Sequence, residues 1–324
     1  MAVKNQIIKD EFCIYNGDCI EVLKEYPDKS TDLWIYSPPF GGLYQYSSDE
    51  RDLSNCLNRD EFFVHYDFVV GECARLLKPG RMTCVHVMDI PSGNTGLDNI
   101  YDFPGDVIRL HEKHGFKLVS RRIIWKEPLT VRNRTMTKSL SHKGITLDST
   151  KSSIANADQL LIFRNKGQNE TPVTHSEGLK SYSGSAPMPQ DAKEYEGWKG
   201  SQLQNKFSHW IWRQYASSVW MDIRIDNVLP YRTARESDEE KHCHPLQLDV
   251  IERAIVLYSN LNETVVTPFM GVGSEVYAAV KMGRKAIGIE LKESYFRQAL
   301  RNIEDAFVKI PDQQMSLFGE ASNG

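Results

Sequence analysis

The sequence predicts an open α/β protein with a mostly parallel central sheet and helices on both faces. The first observation is a series of short apolar runs of buried-strand type, at 12–15, 32–36, 82–89, 117–125, 158–165, 263–267 and 285–290. The second is that apolar residues recur at helical spacing in many of the intervals between these runs. Regular alternation of strands and helices is typical of this fold class.

The first half of the chain begins with the strand at 12–15, which ends in an Asn-Gly-Asp turn. A short helix over 19–26 leads to the apolar strand at 32–36. A longer helix over 60–77 stops at Lys-Pro-Gly, because glycine and proline end helices. The remaining elements of this half are a strand at 82–89, a helix that ends at Gly115, and strands at 117–125 and 158–165.

The second half opens with an irregular segment, 166–240, rich in Gly, Pro, Ser and charge, which predicts a small insertion with little regular structure. An amphipathic helix over 245–260 and a strand at 263–267 restore the α/β pattern. The rest consists of a glycine turn with a helix over 271–282, a strand at 285–290 and a last helix with Phe296, Leu300, Ile303 and Phe307 on its apolar face.

The bulk composition narrows the class of protein. The chain has 324 residues, 40% of them hydrophobic and 25% charged, with a formal net charge of -4. No apolar run of about 18 residues predicts a membrane span, and the N-terminus lacks the apolar core of a signal peptide. Six cysteines without a Cys-x-x-Cys pair indicate reduced thiols in a cytoplasmic protein. No metal site is expected, because no second ligand pair accompanies the His-Cys-His sequence at 242–244.

The strand at 32–36 runs directly into Ser37-Pro38-Pro39-Phe40. Proline has no N–H to donate to a sheet, so both prolines must lie just past the strand end. Open α/β sheets place their reactive groups at that edge. The tetrapeptide is therefore a candidate active site, and a rigid turn is the simpler alternative.

A second candidate site is the glycine turn Gly271-Val272-Gly273, which follows the strand at 263–267. Glycines allow a tight turn and a close approach to a ligand, and Glu290 at the end of the next strand suits ribose hydroxyls. The full Gly-x-Gly-x-x-Gly pattern is missing, since residue 276 is Val. A dinucleotide is thus less favoured than S-adenosylmethionine, which has a ribose but no phosphate. A plain turn at the start of a helix remains the alternative.

Together these motifs resemble those of the DNA amino-methyltransferases, which methylate an exocyclic base nitrogen. Residues 37–40 resemble the catalytic Asp/Asn/Ser-Pro-Pro-aromatic tetrapeptide of that family, and residues 267–273 its Asp-Pro-Phe-x-Gly-x-Gly cofactor loop. The catalytic motif precedes the cofactor loop, as in the permuted beta class. The resemblance implies a Rossmann-like methyltransferase fold, S-adenosylmethionine as the cofactor and double-stranded DNA as the substrate.

The resemblance also implies roles for individual residues. The expected catalytic residues are Ser37, Pro38, Pro39 and Phe40. The expected cofactor-binding residues are Asp18, Cys19, Ser37, His244, Pro245, Thr267, Pro268, Phe269, Gly271, Gly273, Ser274 and Glu290, with Asp18 accepting a hydrogen bond from the adenine amine. Thr267 departs from the family pattern, because the usual aspartate helps to hold the methionine amine and threonine brings no charge. Either cofactor affinity is weaker or a neighbouring residue compensates.

The same resemblance divides the chain into four segments. Residues 1–165 form the catalytic half of a methyltransferase domain, 166–240 a target-recognition region, 241–310 the cofactor-binding half of the same domain, and 311–324 a flexible tail. In the tail, Gln314, Met315, Leu317 and Phe318 resemble the Gln-Leu-Ser/Asp-Leu-Phe peptide by which bacterial proteins dock on the replication sliding clamp. A tail folded back on its own domain is the alternative.

The residue types suit amine methylation. An exocyclic amine is a poor nucleophile because its lone pair is delocalised into the ring. Ser37 Oγ and the Pro38 carbonyl could accept its two hydrogens, while Phe40 stacks on a flipped base. Serine in the first position is more typical of cytosine-N4 enzymes, so cytosine is favoured over adenine. No Pro-Cys sequence is present, which argues against methylation of a ring carbon.

A basic segment, 121–151, is the candidate DNA-binding surface. It holds eight Lys and Arg residues against Glu127 and Asp148, and such a segment can contact phosphates. The expected contacts are Arg121, Arg122, Arg132, Arg134, Lys138 and Lys143. The alternative is a solvated surface loop.

Other functions remain open at this level. The protein could belong to a restriction–modification system or act as a solitary or phage-borne enzyme, as a monomer or a homodimer. The same chemistry could serve RNA or a protein glutamine, although those families usually place the cofactor loop first. A non-catalytic DNA-binding module on a decayed methyltransferase scaffold would explain Thr267 but not the intact tetrapeptide.

Overall fold

The computed structural model describes residues 3–39, 53, 56, 58–92, 99–135, 137–234 and 245–308. Its strands in these ranges are β1 (Asn5–Ile8), β2 (Phe12–Asn16), β3 (Thr31–Tyr36), β4 (Leu77–Met88), β5 (Ile90–Ser92), β6 (Asn99–Tyr101), β7 (Lys117–Ile124), β8 (Asp158–Arg164), β9 (Val219–Trp220), β10 (Thr264–Thr267) and β11 (Lys285–Glu290). Its α-helices there are α1 (Cys19–Lys24), α2 (Arg59–Leu76), α3 (Phe103–Lys113), α4 (Pro128–Thr135), α5 (His142–Leu147), α6 (Gln190–Lys193), α7 (Lys206–Ala216), α8 (Leu248–Tyr258), α9 (Ser274–Lys281) and α10 (Glu293–Val308).

The central sheet has nine strands in the order β1-β2-β11-β10-β3-β4-β8-β7-β9. The five strands from β2 to β4 in this order run parallel to one another, whereas β1 and β8 pair antiparallel to their neighbours. This arrangement confirms the predicted α/β class with a mostly parallel sheet.

Side chains of the buried strand β3 alternate between the two faces of the sheet, as the period of a strand requires. Leu33 and Ile35 join the core beneath α8, α9 and α10. Trp34 and Tyr36 join the core on the opposite face, which packs against α1, α2 and α3. The sheet is therefore covered on both faces, which explains why β3 is buried along its whole length.

The strand order reverses between β10 and β3. From β10 the chain continues through α9 to β11 on one side, whereas from β3 it continues through α2 to β4 on the other. The loops that follow β10 and β3 therefore leave the sheet in opposite directions and open a crevice between them. Both candidate motifs begin at this crevice, because each directly follows one of these two strands.

The helix α2 ends just before Lys-Pro-Gly, as predicted, and β4 begins at Leu77 and includes these residues. One sequence-based expectation needed revision. The basic segment is not one loop, because it contains α4 and α5. Both helices are short, eight and six residues, so neither is long enough to show a helical apolar pattern in the sequence.

The insertion has a small core of its own around α7. This core contains Phe207, Trp210, Ile211 and Tyr215 of α7, which pack against Leu179 and Ala192. The cluster also includes Val256 of α8. Arg253 of α8 is wholly buried and joins the insertion to the rest of the fold. Its guanidinium donates to the Ser183 carbonyl at 2.7 Å and to Asp222 at 2.5 Å. No helix in the described ranges is long and apolar enough to cross a membrane.

Candidate active site

A cavity of about 210 Å3 lies at the crevice between β10 and β3. Segments from four strand ends line it: residues 17–19 after β2, residues 37–39 after β3, residues 268–272 after β10, and residues 289–292 around the end of β11. Ser274 and Glu275 of α9 and Tyr295 of α10 complete much of the wall. The two motifs singled out in the sequence, more than 200 residues apart, thus meet in one cavity.

The Ser37-Pro38-Pro39 turn is held in place from the strand side. Tyr36, which precedes it, is fully buried, and its hydroxyl lies 3.0 Å from the Tyr66 hydroxyl and 3.2 Å from His111 Nε2. Burial lowers the pKa of His111 to about 4, so this histidine is neutral at physiological pH. Ser37 itself is half-buried, and its Oγ lies 3.1 Å from His86 Nδ1 and 3.2 Å from the His86 carbonyl oxygen.

The glycine turn depends on glycine for two different reasons. Gly271 and Gly273 both have positive φ, at 53° and 88°, where other residues are strained. A Cβ on Gly273 would also lie 3.0 Å from the Ala299 Cβ of α10. Gly273 therefore serves the packing of α9 against α10, whereas Gly271, with open space around it, lines the cavity.

Glu290 closes the glycine turn against the end of β11. One carboxylate oxygen accepts the Gly271 N–H at 2.8 Å, and the other accepts the Lys292 N–H at 2.8 Å. A carboxylate oxygen can accept more than one hydrogen bond. Glu290 therefore organises the loop, and because it also lines the cavity it presents a carboxylate acceptor to ligand hydroxyls.

Asp18 occupies the N-cap of α1. Its Oδ1 accepts the N–H groups of Ile20 at 2.8 Å and Glu21 at 3.3 Å. The hydrogen bonds found within the described ranges do not use Oδ2, and Asp18 lines the cavity beside Cys19. The capping bonds fix the side chain in one orientation, so a ligand donor would meet a preorganised acceptor.

The structure differs from the sequence-based expectation in which residue lines the cavity, Thr267 or Glu275. Thr267 is 1% exposed and is not among the residues that line the cavity. Glu275, which the sequence analysis did not select, does line it. Burial raises the pKa of the Glu275 carboxyl to about 8, an effect that its own backbone N–H offsets only in part. The signal available in the sequence was a charged residue in the first turn of a helix whose middle, residues 276–280, carries no charge.

The remaining residues predicted from the sequence fall into two groups. The cavity is lined by Cys19, Ser37, Pro245, Pro268, Phe269, Gly271 and Ser274. Phe40, His244 and the clamp-peptide residues Gln314, Met315, Leu317 and Phe318 lie outside the described residues, as does the side chain of Arg134. Within the described ranges, no cluster of three or more His, Cys, Asp or Glu side chains is placed to hold a metal ion.

The basic residues expected to bind DNA are not equivalent. Lys138 and Lys143 are exposed, and Arg132 is half-buried at the surface of α4. Arg121 is exposed on β7, but Arg122 points to the other face of the sheet. There its guanidinium donates to the carbonyls of Ala216 and Ser217 at 3.3 Å, which ties β7 to the end of α7.

Known proteins share this sequence pattern and fold. A family model for N6/N4 methyltransferases, described as DNA methylase, matches residues 31–301. The type II methyltransferase M.BamHI of Bacillus amyloliquefaciens is 24% identical over 278 residues, which cover 86% of this chain but 54% of that protein. The DNA adenine methyltransferase YhdJ of Escherichia coli is 22% identical, with 90% of this chain and 83% of YhdJ covered.

A solved structure supports the same fold assignment. The PvuII DNA methyltransferase, which is cytosine-N4-specific, aligns with a TM-score of 0.58 over 93% of this chain and 92% of its own, at 16% identity. This chain spans about half the length of M.BamHI, so its similarity to that relative covers only part of the larger protein. The family model covers most of the chain and includes both motifs that meet in the cavity. The chain therefore belongs to the N6/N4 family of DNA methylases.

Proposed function

We propose that this protein is an S-adenosylmethionine-dependent DNA methyltransferase that methylates the N4 amine of a flipped cytosine. The observation that carries the proposal is the shared cavity of the Ser37-Pro38 turn and the glycine turn at Gly271. This adjacency brings an amine-binding turn beside a nucleoside-binding loop. A structural turn alone would not need such an opening.

The residues that line the cavity fit the cofactor. Asp18 Oδ2 and the Glu290 carboxylate are acceptors suited to an adenine amine and to ribose hydroxyls. Ser274 Oγ is buried without a hydrogen-bond partner in the described ranges, and it lines the same cavity. Glu275, the next residue, supplies the cavity with a carboxyl group that Thr267, the replacement for the usual aspartate, does not supply. When bound, S-adenosylmethionine would supply an electrophilic methyl group.

The chain's own task is to prepare the target amine. Ser37 Oγ and the Pro38 carbonyl can accept the two amine hydrogens, which favours a pyramidal nitrogen with a localised lone pair. The proline ring fixes φ, and Tyr36 is locked by Tyr66 and His111, so these acceptors need little reorganisation. The amine attacks the methyl group directly, and no covalent bond to the protein is required.

Cytosine N4 is the favoured target and adenine N6 the alternative. A serine begins the catalytic turn, and the PvuII enzyme of similar fold is named as cytosine-N4-specific. YhdJ, of comparable sequence similarity, is named as an adenine methyltransferase, and this favours the alternative. Nothing in the geometry of a serine hydroxyl forbids an adenine amine.

The test is to incubate unmethylated bacterial DNA with isotopically labelled S-adenosylmethionine and to analyse the nucleosides by mass spectrometry. Labelled N4-methylcytosine supports the proposal. Labelled N6-methyladenine would show the same class of reaction with adenine instead of cytosine as the target base. Label in neither base, with cofactor binding established by calorimetry, would refute DNA methylation and favour the decayed scaffold.

The basic residues at the surface of the segment 121–151 provide a first prediction. A variant with Arg132, Lys138 and Lys143 replaced by alanine should bind duplex DNA about tenfold or more weakly at moderate salt, because each lost phosphate contact removes counterion release. The loss should be similar for all DNA sequences, and the dependence of affinity on salt should become shallower. Fluorescence anisotropy at several salt concentrations measures both quantities.

A matched control replaces three exposed lysines at the edge of the sheet opposite to the cavity: Lys117 at the start of β7, Lys281 at the end of α9 and Lys285 at the start of β11. The same anisotropy titration should show little change for this control. If the triple variant and the native protein bind DNA with equal affinity across the salt range, the basic segment is a solvated surface that does not contact DNA.

A further inference from the structure

A polar chain runs from Ser37 through His86 into the sheet. His86 is on β4, beside the end of β3, and its Nδ1 lies 3.1 Å from Ser37 Oγ. On its other side, His86 Nε2 lies 3.1 Å from an Asp158 carboxylate oxygen. The second oxygen of Asp158 lies 2.6 Å from Lys126 Nζ. Neither His86 nor Asp158 belongs to a sequence motif used above.

Asp158 is an ionised group in this chain. It is 3% exposed at the start of β8, where β8 pairs with the end of β4. Burial alone would raise its pKa, but the charge of Lys126 at 2.6 Å and the contact with His86 Nε2 outweigh that effect and hold the pKa of the carboxyl below its usual range. The carboxylate can therefore only accept hydrogen bonds at neutral pH.

An ionised Asp158 selects one tautomer of His86. Because the carboxylate facing Nε2 cannot donate, Nε2 is the nitrogen that carries the proton in the neutral ring. Nδ1 is then an acceptor and faces the Ser37 hydroxyl. The second neighbour of that hydroxyl, the His86 carbonyl oxygen at 3.2 Å, is also an acceptor.

These contacts fix the direction of the Ser37 hydroxyl group. Both groups of His86 near Ser37 Oγ accept a proton, so the Ser37 O–H must point towards His86. Its oxygen lone pairs then face the cavity, where the target amine needs an acceptor. A serine in solution has no such preference, because its hydroxyl rotates freely.

We propose that His86, oriented by Asp158 and Lys126, is the positioning residue that makes Ser37 an acceptor and takes up the proton that leaves the methylated amine. The inference rests on the proposed function. As the N–C bond forms and the S–C bond breaks, the nitrogen carries one proton too many. That proton passes to Ser37 Oγ while the Ser37 hydroxyl proton passes to His86 Nδ1, and the imidazolium formed is paired with Asp158 until it releases the proton to water.

The charges around His86 are consistent with this role. In the described part of the chain they are Asp158 from β8, Lys126 after β7, and Arg122, which lies on the same sheet face beyond Leu160. Protonation of His86 before the reaction would turn Nδ1 into a donor towards Ser37. Protonation of this ring should therefore lower the rate of transfer.

The first test needs no methyl transfer. Nitrogen-15 NMR of the histidine rings in the full-length protein should show His86 as the Nε2–H tautomer at neutral pH, with the resonance assigned by its loss in His86→Asn. The Nδ1–H tautomer would overturn the proposal. This result stands whether or not the protein methylates DNA, so it separates a failure of the inference from a failure of the proposed function.

The second test uses single-turnover methyl transfer between pH 5.5 and 9. In His86→Asn, the amide can still contact Ser37 but does not titrate, so the rate should fall about 100-fold and the acid limb of the profile should disappear. Cofactor affinity should change little, because His86 is not among the residues that line the cavity. The control His114→Asn replaces a surface histidine paired with Asp67, and it should keep the native rate and profile.

A purely structural role predicts a different outcome. In that case His86→Asn and His86→Phe would lower the rate by the same factor at every pH and would retain the acid limb. Such a profile would overturn the proposal even if the rate fell strongly. Should His86→Asn fail to fold, His86→Gln, which also presents an amide that does not titrate, takes its place both in the NMR assignment and in the pH profile.

Discussion

Replacing Ser37 with alanine is expected to lower the rate of methyl transfer by about two to three orders of magnitude, the usual cost of removing one preorganised group that acts at the reacting centre. The substitution removes the acceptor for one amine hydrogen and also the link to His86. Stability should change little, because Ser37 is only half-buried and precedes two prolines that keep the turn rigid.

The measurement is a single-turnover assay with labelled cofactor, accompanied by calorimetric titration of the cofactor. Cofactor affinity should stay close to the native value, since the Asp18 and Glu290 acceptors are intact. The exposed Ser176 offers a matched control, and Ser176→Ala should keep the full rate. A Ser37→Ala protein that transfers methyl groups at the native rate would remove Ser37 from the reaction.

Replacing Glu275 with glutamine should change how stability depends on pH. In the unliganded fold the Glu275 pKa is raised to about 8, well above its ordinary value. Between these two values the native state holds a proton that the unfolded chain has released. The native protein should therefore lose stability as pH rises through this interval, by up to about 1.4 kcal/mol per pH unit from this group. Below the interval both states are protonated and the group contributes nothing.

Thermal melts between pH 5 and 8 test this expectation as a difference between two proteins. Glu275→Gln keeps the volume but cannot ionise, so its midpoint should rise relative to the native midpoint as pH increases. Glu304→Gln, on the exposed side of α10, should track the native protein throughout. Parallel pH curves for Glu275→Gln and the native protein would show that the carboxyl is ionised in the fold without cost.

The same carboxyl should couple cofactor binding to pH. A cationic amine that enters the cavity favours the ionised form of Glu275, so binding should release a proton and tighten as pH rises towards 8. Calorimetry in buffers of different ionisation enthalpy counts that proton. Glu275→Gln should bind more weakly and release none, and proton release equal to that of the native protein would assign the amine to another partner.

Local patterns were sufficient for most of the fold. The strands at 12–16, 31–36, 264–267 and 285–290 were predicted to within about one residue, because buried strands of a parallel sheet are continuous apolar runs. The sequence did not predict α4, α5 and α7, since the first two are too short to show a helical apolar pattern and the third lies in a segment dominated by turn-forming residues. β1 and β9 are short edge strands, and pairing at an edge depends on a neighbour that the local sequence does not contain.

The residues of the candidate site also fall into those that local sequence reveals and those that only the fold reveals. Ser37, Pro38, Gly271 and Glu290 were identified from short motifs, because a tight turn, a rigid acceptor and a ribose partner each demand particular residue types at fixed spacing. Glu275, His86 and Asp158 were not, although all three line the cavity or support its walls. Their chemistry arises from burial and from partners on other strands, and neither quantity is written in the neighbouring residues.

The sequence by itself determined the fold class, the family and the two motifs that define the site. The tertiary structure alone decided that Thr267 lies behind the cavity wall while Glu275 faces it, and that Ser37 is connected to Asp158 through His86. Motifs are local because backbone conformation is set by near neighbours. Hydrogen-bond direction and protonation depend on desolvation and on charges brought together by the sheet, so they exist only in the folded chain.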